Sequence, residues 1–162
     1  MVEQRTENPC VAGSIPAITT TYFGVVLMKS NSSTRFKRVL LIDDNEIDNF
    51  INERIITSSG FSEVCAVQTT TDAAIDYLKG LTDFSDKLPE IIFLDLNMPV
   101  KDGFAFLEIF NSLDEAIRAV CKVVVLSSSI SPDDINRASS NPYVIRYLNK
   151  PLSEKYLEAI ES

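Results

Sequence analysis

The chain has 162 residues, 45% of them apolar, which suits one domain with a real core and makes two packed domains a poor fit. It contains no histidine, which excludes His-dependent nucleophilic triads, histidine metal sites and a histidine phosphodonor, and with the last a sensor kinase. Fifteen Lys and Arg against 23 Asp and Glu leave a net charge of −8, the wrong sign for tracking a nucleic-acid backbone.

In chain order, residues 1–35 read as a tail outside the fold. Only Glu3, Arg5, Glu7 and Lys29 are charged before Arg35, and Pro9, Gly13 and Pro16 interrupt any helical period. The apolar run 22–28 is too short to span a membrane and lacks a strongly positive segment before it; a signal peptide is the alternative reading. Residues 8–20 look like a translated transfer-RNA gene and Met28 resembles an ordinary bacterial start, so the first 27 residues are expected to be foreign to the natural protein.

From Phe36 onward, short apolar runs of strand type alternate with segments of helical period. The runs are 39–42, 64–67, 91–94, 123–126 and 144–148. Ile47, Phe50, Ile51 and Ile55 after the first, and Phe106, Ile109, Phe110 and Leu113 after the third, recur at helical spacing, as the apolar stripe of a helix should. Ser131-Pro132-Asp133-Asp134 predicts a helix start with a serine cap, and Ser153 predicts another, with Leu152 and Leu157 as a hydrophobic staple. Five such repeats with right-handed crossovers give an α/β fold, a doubly wound parallel sheet. Sheets of this kind take ligands outside the carboxyl ends of their strands.

Four of the five strand ends carry polar groups: Asp43 and Asp44, Asp95, Ser127, and Asn149-Lys150-Pro151. Three carboxylates gathered on one rim repel one another and call for a cation. With no histidine and no nearby thiolate the ligands are oxygen only, which selects a hard ion; room for phosphate oxygens favours Mg²⁺. Lys150 adds a positive charge opposite the metal, and the Ser127 hydroxyl is a third donor to a phosphoryl group held between them. Asp95, alone on the central strand, is then the natural nucleophile and Asp43-Asp44 the metal holders. Cys10, Cys65 and Cys121 are odd in number and without CxxC spacing, which fits neither a disulfide framework nor zinc but a reducing, cytoplasmic setting.

The Asp43-Asp44 pair, the run Asp95-Leu96-Asn97-Met98-Pro99-Val100-Lys101-Asp102-Gly103, Leu126-Ser127 and Lys150-Pro151 closely resemble the receiver domain of bacterial two-component response regulators. The resemblance covers residues 36–162 and implies a flavodoxin-like, CheY-like (βα)5 fold with strand order 2-1-3-4-5. It implies Asp95 as phosphoacceptor, Mg²⁺ bound by Asp44, Asp95 and the Asn97 backbone carbonyl, and Asp43 acting through a metal-bound water. It further implies Ser127 and Tyr147 as the switch pair, Lys150 as the phosphate-binding lysine, and a cis Lys150-Pro151 bond. The implied partners are a sensor histidine kinase or histidine phosphotransfer protein and a downstream protein target, with neither nucleic acid nor membrane contacted directly.

Ser128 departs from the alanine or glycine usual in the family, and Asn97 and Ser129 occupy positions that tune hydrolysis. Pro99 and Gly103 read as shaping the loop after Asp95, and Cys65 and Cys121 as small buried apolar residues. A haloacid dehalogenase-type phosphatase is the rival reading, and it lacks its second acid because Asn97 stands two residues after Asp95. A pseudo-receiver that only binds partners is the other. The chain ends about ten residues after Ser153, so the expectation is a stand-alone acceptor that signals by protein contact and is no turnover enzyme.

Overall fold

The structure, a computed structural model, describes residues 34–160. The expectations for residues 1–33, Met28 and Cys10 included, lie outside the described residues. Arg35, the last residue assigned to the tail, is tied to the fold: its backbone N–H donates to the Gly60 carbonyl at 3.2 Å and its guanidinium to the Leu157 and Ile160 carbonyls at 2.9 and 2.7 Å.

The elements run β1 (Phe36–Ile42), α1 (Glu46–Ser58), β2 (Ser62–Gln68), α2 (Thr71–Gly80), β3 (Ile91–Leu94), α3 (Gly103–Phe110), α4 (Glu115–Val120), β4 (Lys122–Ser127), α5 (Pro132–Ser139), β5 (Val144–Asn149) and α6 (Glu154–Glu158). The five strands form one parallel sheet in the order β2-β1-β3-β4-β5. All four residues of β3 are buried, as a central strand covered on both faces requires.

Side-chain alternation sorts the core. Leu40, Ile42, Ile92, Leu94, Val123 and Val125 face one layer, closed by Leu78 of α2, Phe106 and Phe110 of α3 and Ile117 of α4. Val39, Leu41, Ile91, Phe93, Val124 and Leu126 face the other, closed by Ile56 of α1 and Leu157 of α6. Phe110 stacks on Phe106 and meets Tyr143 edge-on, so this aromatic group fills one layer beneath the sheet.

Three local expectations are corrected. The helix expected to run through Leu113 ends at Phe110, and a turn at Asn111 leads into a separate α4 capped by Asp114, whose Oδ1 accepts from the Ala116 N–H at 2.8 Å. Ser131 stands at the start of α5 but its side chain makes no capping bond. Ser129 takes over that task, accepting from the Ser131 N–H at 3.2 Å and donating to Asp134 Oδ2 at 2.6 Å. Ser153 does cap α6, and its flanking Leu152 and Leu157 are both buried, as a staple demands.

The third correction concerns α1. Its stripe of Ile47, Phe50 and Ile51 faces outward, with Phe50 66% exposed, and the helix buries Asn49, Asn52 and Ile56 instead. Cys121 is buried as expected, whereas Cys65 is half-buried on β2, the sheet edge; burial pushes both thiols up to about 12, so neither is a ready nucleophile. No helix among the described residues is long and apolar enough to cross a membrane.

Candidate functional site

Parallel pairing sets Ile42 beside Leu94, so the residues that follow, Asp43 and Asp95, leave adjacent strands at the same level. The Asp95 N–H still donates to the Ile42 carbonyl at 2.9 Å, which carries the ladder one step into the site. Asp44 follows at the surface, and one carboxylate oxygen from each of Asp43, Asp44 and Asp95 falls within 4.8 Å of the others.

Asp43 and Asp95 are held by short local bonds. Asp43 Oδ1 accepts from the Asn45 N–H at 2.9 Å, and the Asp43 carbonyl accepts from Asn49 Nδ2 at 2.7 Å. Asp95 Oδ1 accepts from the Asn97 N–H at 3.2 Å. Gly103 is required behind Asp95, because a Cβ there would come within 2.4 Å of the Asp95 carbonyl oxygen. That close approach lets the Gly103 N–H reach the Leu96 carbonyl at 3.1 Å and start α3 directly under the site. Val100, at the tip of the same loop, is fully exposed with φ 67°, a strained backbone for a β-branched residue.

Lys150 follows β5, and its peptide bond to Pro151 is cis. Its N–H donates to the Ser127 carbonyl at 3.0 Å, which aims the side chain back across the rim. The ammonium Nζ donates to Asp43 Oδ2 at 2.6 Å, Asp48 Oδ2 at 2.9 Å and Asp95 Oδ2 at 3.0 Å. Burial opposes the charge on Lys150, but these three bonds outweigh it and raise its pKa above the ordinary lysine value. Burial in turn lifts the Asp43 carboxyl above its usual range in spite of the Lys150 and Asn45 bonds. One ammonium shared among three carboxylates leaves the acids under-compensated.

Ser127 is fully buried at the end of β4. Its Oγ accepts from Asn97 Nδ2 at 3.4 Å and from the Ser129 N–H at 3.2 Å, while its own hydrogen has no acceptor among the described residues. Asn97 Nδ2 also reaches Ser128 Oγ at 3.2 Å, so the side chain at the unusual serine is part of the polar rim. Tyr147 stands apart from the acids, half-buried on β5, and its hydroxyl donates to the Ser129 carbonyl at 2.9 Å.

The rim therefore gathers Asp43, Asp44, Asp95 and Lys150, joins Ser127 and Asn97 to one another beside them, and leaves Tyr147 one loop away. Two participants went unread in the sequence. Asp48 and Asn49 lie in the first turns of α1, and Asn49 Oδ1 is buried without a partner. The available signal was their distance from Asp44: four and five residues along a helix that begins at a strand end return side chains to that end.

The donor set fits a hard divalent cation. Three carboxylates converge, no nitrogen or sulfur ligand stands among them, and the buried charge on Asp43 has too little positive compensation from Lys150 alone. A phosphate-binding geometry also needs a fixed cation and a free hydroxyl donor, and Lys150 and Ser127 supply these types.

Residues 39–161 match the response regulator receiver domain family. The chain is 37% identical over 115 residues to the probable methanogenesis regulatory protein FilR2 of Methanothrix harundinacea, covering 71% of this chain and 72% of that one. It is 30% identical to the response regulator Rcp1 of Synechocystis, covering 79% of this chain and 86% of that one. The crystal structure of a two-component response regulator from Cytophaga hutchinsonii superposes with a TM-score of 0.72 at 34% identity, covering 77% of this chain and 93% of that one. With the five-stranded 2-1-3-4-5 sheet and four site motifs in order, the chain belongs to the CheY-like receiver domains of two-component response regulators, a signalling family.

Proposed function

We propose that this protein accepts a phosphoryl group on Asp95 from a histidine kinase or histidine phosphotransfer protein and passes the signal on by protein contact. The observation that carries the reading is the rim itself. Asp95 pairs a carboxylate with an ammonium at 3.0 Å and belongs to a group of three acids whose oxygens lie within 4.8 Å. The Asp95 oxygen forms the new O–P bond, and the donor's imidazole nitrogen leaves with the electron pair of the broken N–P bond. Asp44, Asp95 and the Asn97 backbone carbonyl are the direct holders of Mg²⁺ in this reading, with Asp43 acting through water. The ion would neutralise charge on the transferred group.

The protein's own part is positioning. Lys150 neutralises a phosphoryl oxygen, and the uncommitted Ser127 hydroxyl turns to donate to another. Ser127 already accepts from the Ser129 N–H, and the Ser129 carbonyl holds the Tyr147 hydroxyl, so movement of Ser127 disturbs the β4–α5 loop and Tyr147 together. This makes Ser127 and Tyr147 the switch and the surface of α5, β5 and α6 the output. The product is a stored signal rather than a released one, so the protein is not a turnover enzyme.

A protein donor also accounts for the apolar residues around the acids. Ile47, Phe50 and Ile51 on α1, with Val100 and Ile130 on the two rim loops, are all exposed. The odd number of cysteines without CxxC spacing favours a reducing, cytoplasmic setting. The test is intact-mass spectrometry after incubation with Mg²⁺ and acetyl phosphate. Wild type should gain one phosphoryl group and Asp95→Asn none; labelling of the variant at the wild-type rate contradicts the reading.

A further inference from the structure

Lys150 has a partner that the acidic triad does not include. An ammonium has three N–H donors. All three are engaged here, with Asp43 Oδ2 at 2.6 Å, Asp95 Oδ2 at 3.0 Å and Asp48 Oδ2 at 2.9 Å. A phosphoryl oxygen can therefore take an N–H from Lys150 only by displacing one of these carboxylates. Asp43 and Asp95 belong to the triad, where a divalent cation would draw on their charge. Asp48 lies outside that triad on α1, and a cation in the triad leaves its charge free to compete for the ammonium. Its backbone is pinned by the helix cap, since the Asp48 N–H donates to Asn45 Oδ1 at 3.2 Å, so its carboxylate stays within reach.

We propose that Asp48 is a positioning residue that occupies one N–H of the Lys150 ammonium in competition with an incoming phosphoryl group and thereby sets how tightly the site takes one. This rests on the reading of Asp95 and Lys150 as the acceptor pair. The Asp48 carboxylate is about one-third exposed, so solvent weakens its pull, and an effect of a few-fold is the scale to expect. Glu46 provides the control: it is exposed in the same first turn of α1, carries the same charge and has no bond to Lys150.

The experiment measures the affinity of the full chain for beryllofluoride, a phosphoryl mimic, in saturating Mg²⁺, and follows the Lys150 side chain by NMR before the mimic is added. Asp48→Asn should bind about three- to fivefold tighter than wild type. Its resting Lys150 signal should shift. Asp48→Glu, which keeps the charge, should return both toward wild type, and Glu46→Gln should leave both unchanged. Unchanged affinity in Asp48→Asn, weaker binding in it, or an equal gain in Glu46→Gln would each overturn the proposal. Failure of wild type to bind the mimic, or equal binding by Asp95→Asn, would instead overturn the acceptor reading beneath it.

Discussion

The two helices α1 and α3 each follow an acidic strand end, yet they are built in opposite senses. α3 turns Phe104, Phe106, Leu107 and Phe110 into the core, whereas α1 turns Asn49 and Asn52 inward and leaves Ile47, Phe50 and Ile51 in solvent. The physical reason lies in what each helix covers. α3 lies on an apolar layer of the sheet, where a buried amide would have no partner. The first turns of α1 cover the Asp43 end of β1, where Asn49 Nδ2 satisfies the Asp43 carbonyl and Asp48 meets Lys150. One helix holds the fold together, and the other holds the site and offers a surface.

The comparison is broken most directly by treating two phenylalanines alike. Phe110→Ala should lose about 3–5 kcal/mol of stability, since the ring is fully buried among aromatic neighbours. Phe50→Ala should stay within about 0.5 kcal/mol of wild type in a urea titration. Equal losses would show that α1 packs as α3 does. If the α1 face receives the phosphodonor, Phe50→Ala should also slow transfer from a phosphorylated kinase while leaving the acetyl phosphate rate unchanged.

A smaller effect tests the inward polar face. Asn49→Ala removes the bond to the Asp43 carbonyl and should destabilise by about 1–2 kcal/mol. The unpartnered Asn49 Oδ1 goes with it, which keeps the loss at the low end. Calorimetry that finds a gain in stability would mean the amide is not holding the strand end.

The smallest effect is a pH dependence. Burial raises the Asp43 carboxyl above its reference of 3.8, so in the folded protein its ionised form is disfavoured relative to the unfolded chain. Stability from this group therefore falls as pH rises from about 3.8 through the folded value, and Asp43→Asn lacks that fall. Lys150 itself does not titrate in this window, since its pKa is raised above 10.5. In EDTA, the melting temperature of Asp43→Asn relative to wild type should rise as pH is raised above 3.8. A relative fall over that range contradicts the under-compensated triad.

The sheet was legible because all-parallel strands buried on both faces leave unbroken apolar runs. The run 91–94 coincides with β3, and the others fall one to three residues short where Phe36, Ser62, Gln68, Lys122, Ser127 and Asn149 extend the pairing. The acids at the strand ends followed from the same pattern. What escaped was side-chain direction. Leu113 continues the spacing of Phe106 and Phe110 across a turn, which hid the break before α4. Of the α1 stripe Ile55 packs against the core while Ile47, Phe50 and Ile51 face outward, since period reports which residues share a side and not which side is inward. Asp48 was missed for the same reason, as an ordinary acid in a first turn until its distance to Lys150 is known.

The central claim is that Asp95, which follows the central strand of the sheet and joins the triad to the Lys150 ammonium, is the acceptor. Intact-mass spectrometry of wild type, Asp95→Asn and Lys150→Met, each with acetyl phosphate and with or without Mg²⁺, tests it most directly. The account predicts one added phosphoryl group in wild type with Mg²⁺, none in Asp95→Asn, and none without the ion. A phosphoryl group that persists in Asp95→Asn, or that appears equally well in EDTA, would contradict it.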